Sequence, residues 1–174
     1  MAQYAVPQAD PAGTVSAGSW EEAGGGFPPG TDLADQVRDG INGGTPNDST
    51  AIRNTSGSSS TCELLLETLS TPDAGTQTLR IRANGFLGSV DVDLYDGGSF
   101  VDGTTFSPSS SSATFSYNLS TTPSNYNNLR VKLTTSESSI NVSEVEFEVP
   151  DAGGGGGGGD VEDPTNPEAF LMFL

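Results

Sequence analysis

The chain has 174 residues, 33% of them hydrophobic, with 23 acids against 6 bases and a formal net charge of −17 at pH 7. That length leaves room for one domain of about 120–150 residues around a single core, plus tails. The charge removes the phosphate-neutralising surface that nucleic acid needs and sets the chain against an anionic membrane. With no histidine, neither Ser-His-Asp nor Cys-His catalysis is available, and the commonest transition-metal ligand is missing.

In chain order, residues 1–13 read as an extended N-terminal arm, with Pro7 and Pro11 blocking regular structure. Residues 14–152 read as one β-domain. A first strand is expected over 14–20 and a Gly- and Pro-dense loop over 21–30. One short helix is expected over 32–41, capped by Thr31 or Asp32, with Leu33, Val37 and Ile41 forming an apolar stripe and Asn42-Gly43-Gly44 stopping it.

Six strand-like segments follow: 62–68, 78–84, 89–95, 113–119, 128–135 and 140–149. Their period-two alternation is that of sheets with one buried face: Leu79, Ile81 and Ala83 oppose Arg80 and Arg82, and Val90, Val92 and Leu94 oppose Asp91 and Asp93. Phe115, Tyr117 and Leu119 share one face, as do Leu129, Val131 and Leu133. In the last segment Ile140 and Val142 are even-numbered, whereas Val145, Phe147 and Val149 are odd. Both halves stay buried only if a β-bulge lies near Ser143. Short, regularly spaced strands with Gly, Ser and Pro turns indicate an antiparallel β-sandwich of jelly-roll type, with a plain Greek-key sandwich as the close alternative.

The cations alternate on two strands (Arg80, Arg82, Arg130, Lys132) and acids on two others (Asp91, Asp93; Glu144, Glu146, Glu148). Opposite charges on neighbouring strands can pair at about 0.2–1 kcal/mol each. The set is either a solvated sheet face or a charged interface toward another subunit. Acids spread along a chain with a single lysine resemble a halophile composition, in which salt screens the self-repulsion. The single cysteine, Cys62, opens an apolar run and is expected to be a small buried hydrophobe. The N-terminus has neither the cationic start nor the apolar stretch of a signal peptide.

No phosphate-loop motif is present, and nothing singles out two carboxylates for glycosidase chemistry, so the expectation is a protein without enzymatic activity and without a required cofactor. Calcium is the one metal candidate, through Asp91, Asp93 and Asp96, although the D-x-D-x-x-D spacing fails the EF-hand pattern and an acidic hairpin explains it equally. Four N-x-[ST] acceptors occur, at Asn47, Asn54, Asn118 and Asn141, of which the first two are expected on a loop or strand end. Trp20, Tyr95, Phe100 and Phe106 are candidate glycan contacts, since aromatics grouped on one face are what a sugar-binding sandwich requires.

Residues 153–168 form a Gly- and Pro-rich acidic linker, beginning with seven consecutive glycines. Residues 169–174 are an apolar hook. Leaving Phe170, Leu171, Met172, Phe173 and Leu174 in water costs about 1.5–3 kcal/mol per large side chain, so the hook is expected to dock on a partner subunit or a neighbouring copy.

Several stretches carry a resemblance: the opening Met1-Ala-Gln-Tyr-Ala-Val-Pro, Thr61-Cys-Glu-Leu64, Thr78-Leu-Arg-Ile-Arg82, Val92-Asp-Leu-Tyr-Asp-Gly97, Tyr126-Asn-Asn-Leu-Arg-Val131 and, most specific, Val142-Ser-Glu-Val-Glu-Phe-Glu-Val-Pro-Asp-Ala152. Over residues 1–152 the chain resembles a family of small, mostly uncharacterised proteins of tailed viruses and prophages. The resemblance implies an all-β virion structural protein located in the particle. The expected role is a capsid decoration, turret or cement subunit displayed in several copies, with other virion proteins as partners and homo-oligomers expected. The alternative is a tail or fibre component that binds a host cell-surface glycan.

Overall fold

A computed structural model describes residues 1–9, 18–23 and 33–151. These hold eleven strands: β1 (Ala2–Ala5), β2 (Pro7–Ala9), β3 (Trp20–Glu22), β4 (Ile52–Asn54), β5 (Ser60–Leu66), β6 (Thr78–Asn84), β7 (Val90–Asp96), β8 (Ser99–Phe106), β9 (Ala113–Asn118), β10 (Leu129–Thr135) and β11 (Asn141–Pro150). One sheet runs β3-β4-β11-β6-β9, with β1 also on β11, and the other runs β2-β5-β10-β7-β8. Every pairing is antiparallel. From β4 onward the chain crosses between sheets at every connection except the β7–β8 hairpin, giving β4-β11-β6-β9 over β5-β10-β7-β8, the jelly-roll order.

The inward faces follow the alternation. Ile52, Leu79, Ile81, Val142, Val145 and Phe147 of one sheet are fully buried, as are Cys62, Leu64, Val92, Leu94, Val131 and Leu133 of the other. The expected bulge is present. Val142 faces Ala83 and Glu144 faces Arg82, so Ser143 is the extra residue that lets both halves of β11 bury their apolar sides.

The residues read as an arm are, through Ala9, strands: β1 lies on β11 and β2 on β5, so the first segment pairs with both sheets in turn. Residues 10–13, and 14–17 of the expected first strand, lie outside the described residues. Trp20–Glu22 is strand where a loop was expected to begin at 21. Strand β8 was not expected, because Gly103 and the polar run Asp102-Gly-Thr-Thr break its alternation.

The expected helix over 32–41 is not formed. Residues 33–36 form turns closed by Gln36 N–H to Leu33 O and Val37 N–H to Ala34 O. The apolar stripe is real in part, since Leu33 and Val37 are buried in the core. The backbone goes elsewhere: the N–H groups of Ile41, Asn42 and Gly43 all donate to Glu146 Oε2, at 2.8, 2.8 and 2.9 Å. Gly40 turns the chain at φ 80°, and a Cβ on Gly44 would sit 1.8 Å from Asp39 O. A buried carboxylate thus takes the N–H of Ile41, the last residue of the expected helix, and those of the two residues that follow it.

Candidate functional site

The outer face of the five-stranded sheet collects the side chains that alternate away from the core. The registers align them in rows across β5, β10, β7 and β8: Leu65–Arg130–Tyr95–Phe100, then Glu63–Lys132–Asp93–Gly103, then Thr61–Thr134–Asp91–Thr105. Two local devices set the first row. Gly97, at φ 61°, makes a two-residue turn between Asp96 and Ser99. A register shift between Leu94 and Tyr95 then brings Phe100 opposite Tyr95 and leaves Asp102 opposite Leu94.

The two rings meet edge to face, with centroids 5.6 Å apart at 76°. Phe100, at the hairpin end of the edge strand β8, is 59% exposed. Lys132 Nζ lies 4.0 Å from the Tyr95 ring centroid, a cation–π contact. Glu63 is nearly buried and holds both cations of the face: Arg130 Nη1 donates to Oε1 at 2.8 Å and Lys132 Nζ lies 3.3 Å from Oε2. Arg130 Nε is buried and unbonded among the described residues. Burial, and secondarily the neighbouring Asp91, raise the Asp93 carboxyl above the ordinary aspartate range, with Lys132 opposing. A Cβ on Gly103 would lie 2.1 Å from Asp93 Oδ1, so glycine there is what lets that carboxylate lie across β8. The arrangement is a shelf of exposed ring beside fixed donors and acceptors.

Asp102, on the other side of β8, braces the loop after β9. Burial pushes its carboxyl up, but donors from Ser120 (hydroxyl and N–H), Thr121 and Gly103 outweigh that and hold the pKa at about 2.

Of the four aromatics expected to contact glycan, the fold brings Tyr95 and Phe100 together and removes the other two. Trp20 is fully buried, its Nε1 donating to Ser60 O at 3.1 Å. Phe106 packs against Phe115 at 5.3 Å beside the core. The calcium candidates do not converge. Asp91 and Asp93 are on the outer face, Asp91 accepting from Thr105, while Asp96 accepts from Ser124 and Asn125; among the described residues no three such ligands group. Asn54 is buried, donating to Ser58 O and Thr135 O, which closes it as a glycosylation acceptor. The hook residues Phe170, Leu171, Met172, Phe173 and Leu174 lie outside the described residues.

The charged residues of the six-stranded sheet are neither a solvated face nor an open interface. Glu144 and Glu146 are fully buried beneath residues 39–48. Arg80 pairs with Glu148 and lies 3.7 Å from Glu146, and Arg82 grips Asp48 with two bonds of 2.6 and 2.5 Å. The grouping of Glu63, Arg130, Lys132 and Asp93 around Tyr95 was missed from sequence, since it depends on strand order. Their alternation was its only trace.

No protein-family model matches the chain, and no curated protein matches it. Among solved structures it is similar to the CBM1 module of BiXyn10A in apo form, at 11% identity over 59% of this chain and 76% of that one, TM-score 0.45. It is also similar to the C-terminal CBM6 of LamC, a marine laminarinase from Zobellia galactanivorans, at 12% identity over 60% and 84%, TM-score 0.41. A third is a family 29 carbohydrate-binding module mutant complexed with mannohexaose, at 14% over 87% and 94%, TM-score 0.40. At these identities the likeness concerns the course of the chain alone.

Proposed function

We propose that this chain is a non-enzymatic β-sandwich binding module that takes a glycan on the outer face of its five-stranded sheet. The observation that carries the reading is the Tyr95–Phe100 pair, solvent-facing and in one row with Arg130, beside Lys132 and Asp93. A sugar ring has an apolar C–H face and an equatorial rim of hydroxyls. Phe100 offers surface for the first, and the charged side chains offer bonds to the second. Burying Phe100 under a sugar releases about 1.5–3 kcal/mol.

Binding of the full chain to an array of neutral and charged glycans tests this. Retention of at least one glycan class is expected, with a loss of about ten-fold or more in affinity for Phe100→Ala at unchanged thermal stability. Binding that survives in Phe100→Ala and Tyr95→Ala contradicts the placement.

The setting we propose is the surface of a tailed-virus particle, as a decoration, turret or fibre subunit in several copies. Support comes from the sequence resemblance over residues 1–152 and from the apolar end, Phe170 to Leu174, which suits attachment to another virion protein. A chain ending at Ala152 should then fold and bind glycan but fail to enter particles. Normal copy number of that truncated chain in particles would remove the hook as the anchor.

A further inference from the structure

The strands at the edges of the two sheets differ in how they are guarded. An edge strand shows a row of unpaired N–H and C=O groups, which proteins blunt with short strands, proline, bulges or charge. β3 is three residues long and carries Glu21 and Glu22. β2 is three residues long and begins with Pro7, and β1, on β11, has four residues. β8 is longer, but its register shifts at the Leu94–Tyr95 step and it carries the buried Asp102.

β9 has none of these devices. It pairs with β6 along all six residues of Ala113–Asn118 without a register shift. Beyond that ladder its backbone has no hydrogen-bond partner among the described residues. Thr114, Ser116 and Asn118 are exposed on one face, and Phe115 and Tyr117 are half-buried on the other. Residues 103–129 contain no charged side chain, the longest such run in the chain. At a net charge of −17, two copies repel wherever their acids face each other, and β9 is the edge along which they can approach without that repulsion.

We infer that β9 is an interface: a second copy of this chain lays its own β9 antiparallel along it and continues the six-stranded sheet across a two-fold axis. Residues directly opposite in such a pair share a face, so the axis passes through one residue of each strand. With the axis at Ser116, Phe115 of each copy lies opposite Tyr117 of the other, and Thr114 opposite Asn118. Two aromatic pairs then cover the rings that the lone strand leaves half-buried. The pairing stands apart from the glycan reading. One consequence does rest on that reading: the axis is perpendicular to the sheet, so the Tyr95–Phe100 shelves of both copies face the same way and can engage one glycan-bearing surface together.

The test is sedimentation of the full chain at about 0.15 M salt, where charges more than about 8 Å apart are screened while side chains directly opposite each other, about 5 Å apart, still interact. A reversible dimer is expected, with a Kd of about 100 µM or tighter. Ser116→Glu and Ser116→Lys each set like charges face to face across the axis and should raise that Kd about five-fold or more. Residue 116 is exposed, so neither should change thermal stability. Mixed in equal amounts, the two variants should pair about as tightly as the parent chain, because Glu then faces Lys. Phe100→Ala should dimerise like the parent. A chain that stays monomeric up to about 1 mM, a dimer indifferent to both substitutions at 116, or a mixture no tighter than either variant alone overturns the interface. So does a dimer lost in the Phe170→Ser, Phe173→Ser double variant but kept in Ser116→Glu, which would assign the contact to the apolar end. Failure of the shelf would instead show as glycan-array binding indifferent to Phe100, which leaves this result untouched.

Discussion

Glu144 and Asp102 show how far burial and hydrogen bonding can move two carboxyls of one small domain in opposite directions. At Glu144 burial dominates, and the nearby Asp39 and Asp48 add to it. The N–H groups of Asn47 and Gly40 oppose it, and the pKa is pushed up to about 7. Arg82 is the nearby cation, and Asp48 already occupies it. A raised carboxyl means the folded chain keeps a proton that the unfolded chain gives up above the ordinary glutamate value of 4.5. Stability therefore falls as pH rises from about 4.5 to about 7, by at most about 3 kcal/mol. Asp102 works the other way: its folded pKa of about 2 lies below the ordinary aspartate value of 3.8, so its contribution is complete above about 4 and is lost toward pH 2. Urea unfolding across pH should show a maximum near pH 4.5–5. Glu144→Gln should flatten the limb between pH 5 and 7.5 and stabilise the chain at pH 8 by about 1–3 kcal/mol. An unchanged limb in that variant would show that Glu144 is not the group titrating.

At the scale of elements, β11 organises the six-stranded sheet. Its bulge at Ser143 keeps Val142, Val145 and Phe147 inward, and its outward glutamates hold down the segment after Val37. Val145 N–H donates to Val37 O at 3.1 Å, so the same segment also satisfies the edge of β11 between its pairings with β4 and β1. Glu146→Ala leaves three buried-side donors without their acceptor and should cost about 2–4 kcal/mol. Hydrogen exchange at Ile41, Asn42 and Gly43 should accelerate far more than exchange in β5 or β10. Uniform acceleration across both sheets would mean that the segment has no opening of its own.

What the sequence disclosed follows the same division. Period-two alternation located most strands, and the parity change between Val142 and Val145 located the bulge, because both are local consequences of a buried face. The helix failed although Leu33, Val37 and Ile41 do recur at helical spacing: the N–H of Ile41 and those of the two residues after it are taken by a residue more than a hundred positions away. Glu144 and Glu146 read as outward charges and are outward, but nothing local says that another segment covers them. Tyr95 and Phe100 were legible as aromatics near one hairpin. That they share a row with Arg130, while Trp20 is enclosed, follows only from the strand order β5-β10-β7-β8 and from the packing behind β3.

For the molecule as a whole, the two sheets have different outer faces. On one, residues 39–48 cover the buried Glu144 and Glu146; the other leaves an exposed ring among fixed charges. A net charge of −17 maintains solubility while the shelf itself brings Arg130 and Lys132 against Glu63, Asp91 and Asp93, close to balance. The most direct measurement is a crystal structure of the full chain with the oligosaccharide that the glycan array retains best. A sugar ring packed on Phe100, with hydroxyls bonded to Arg130 or Asp93, is the predicted result. An oligosaccharide bound elsewhere on the sandwich, with the Tyr95–Phe100 shelf bare, would contradict it.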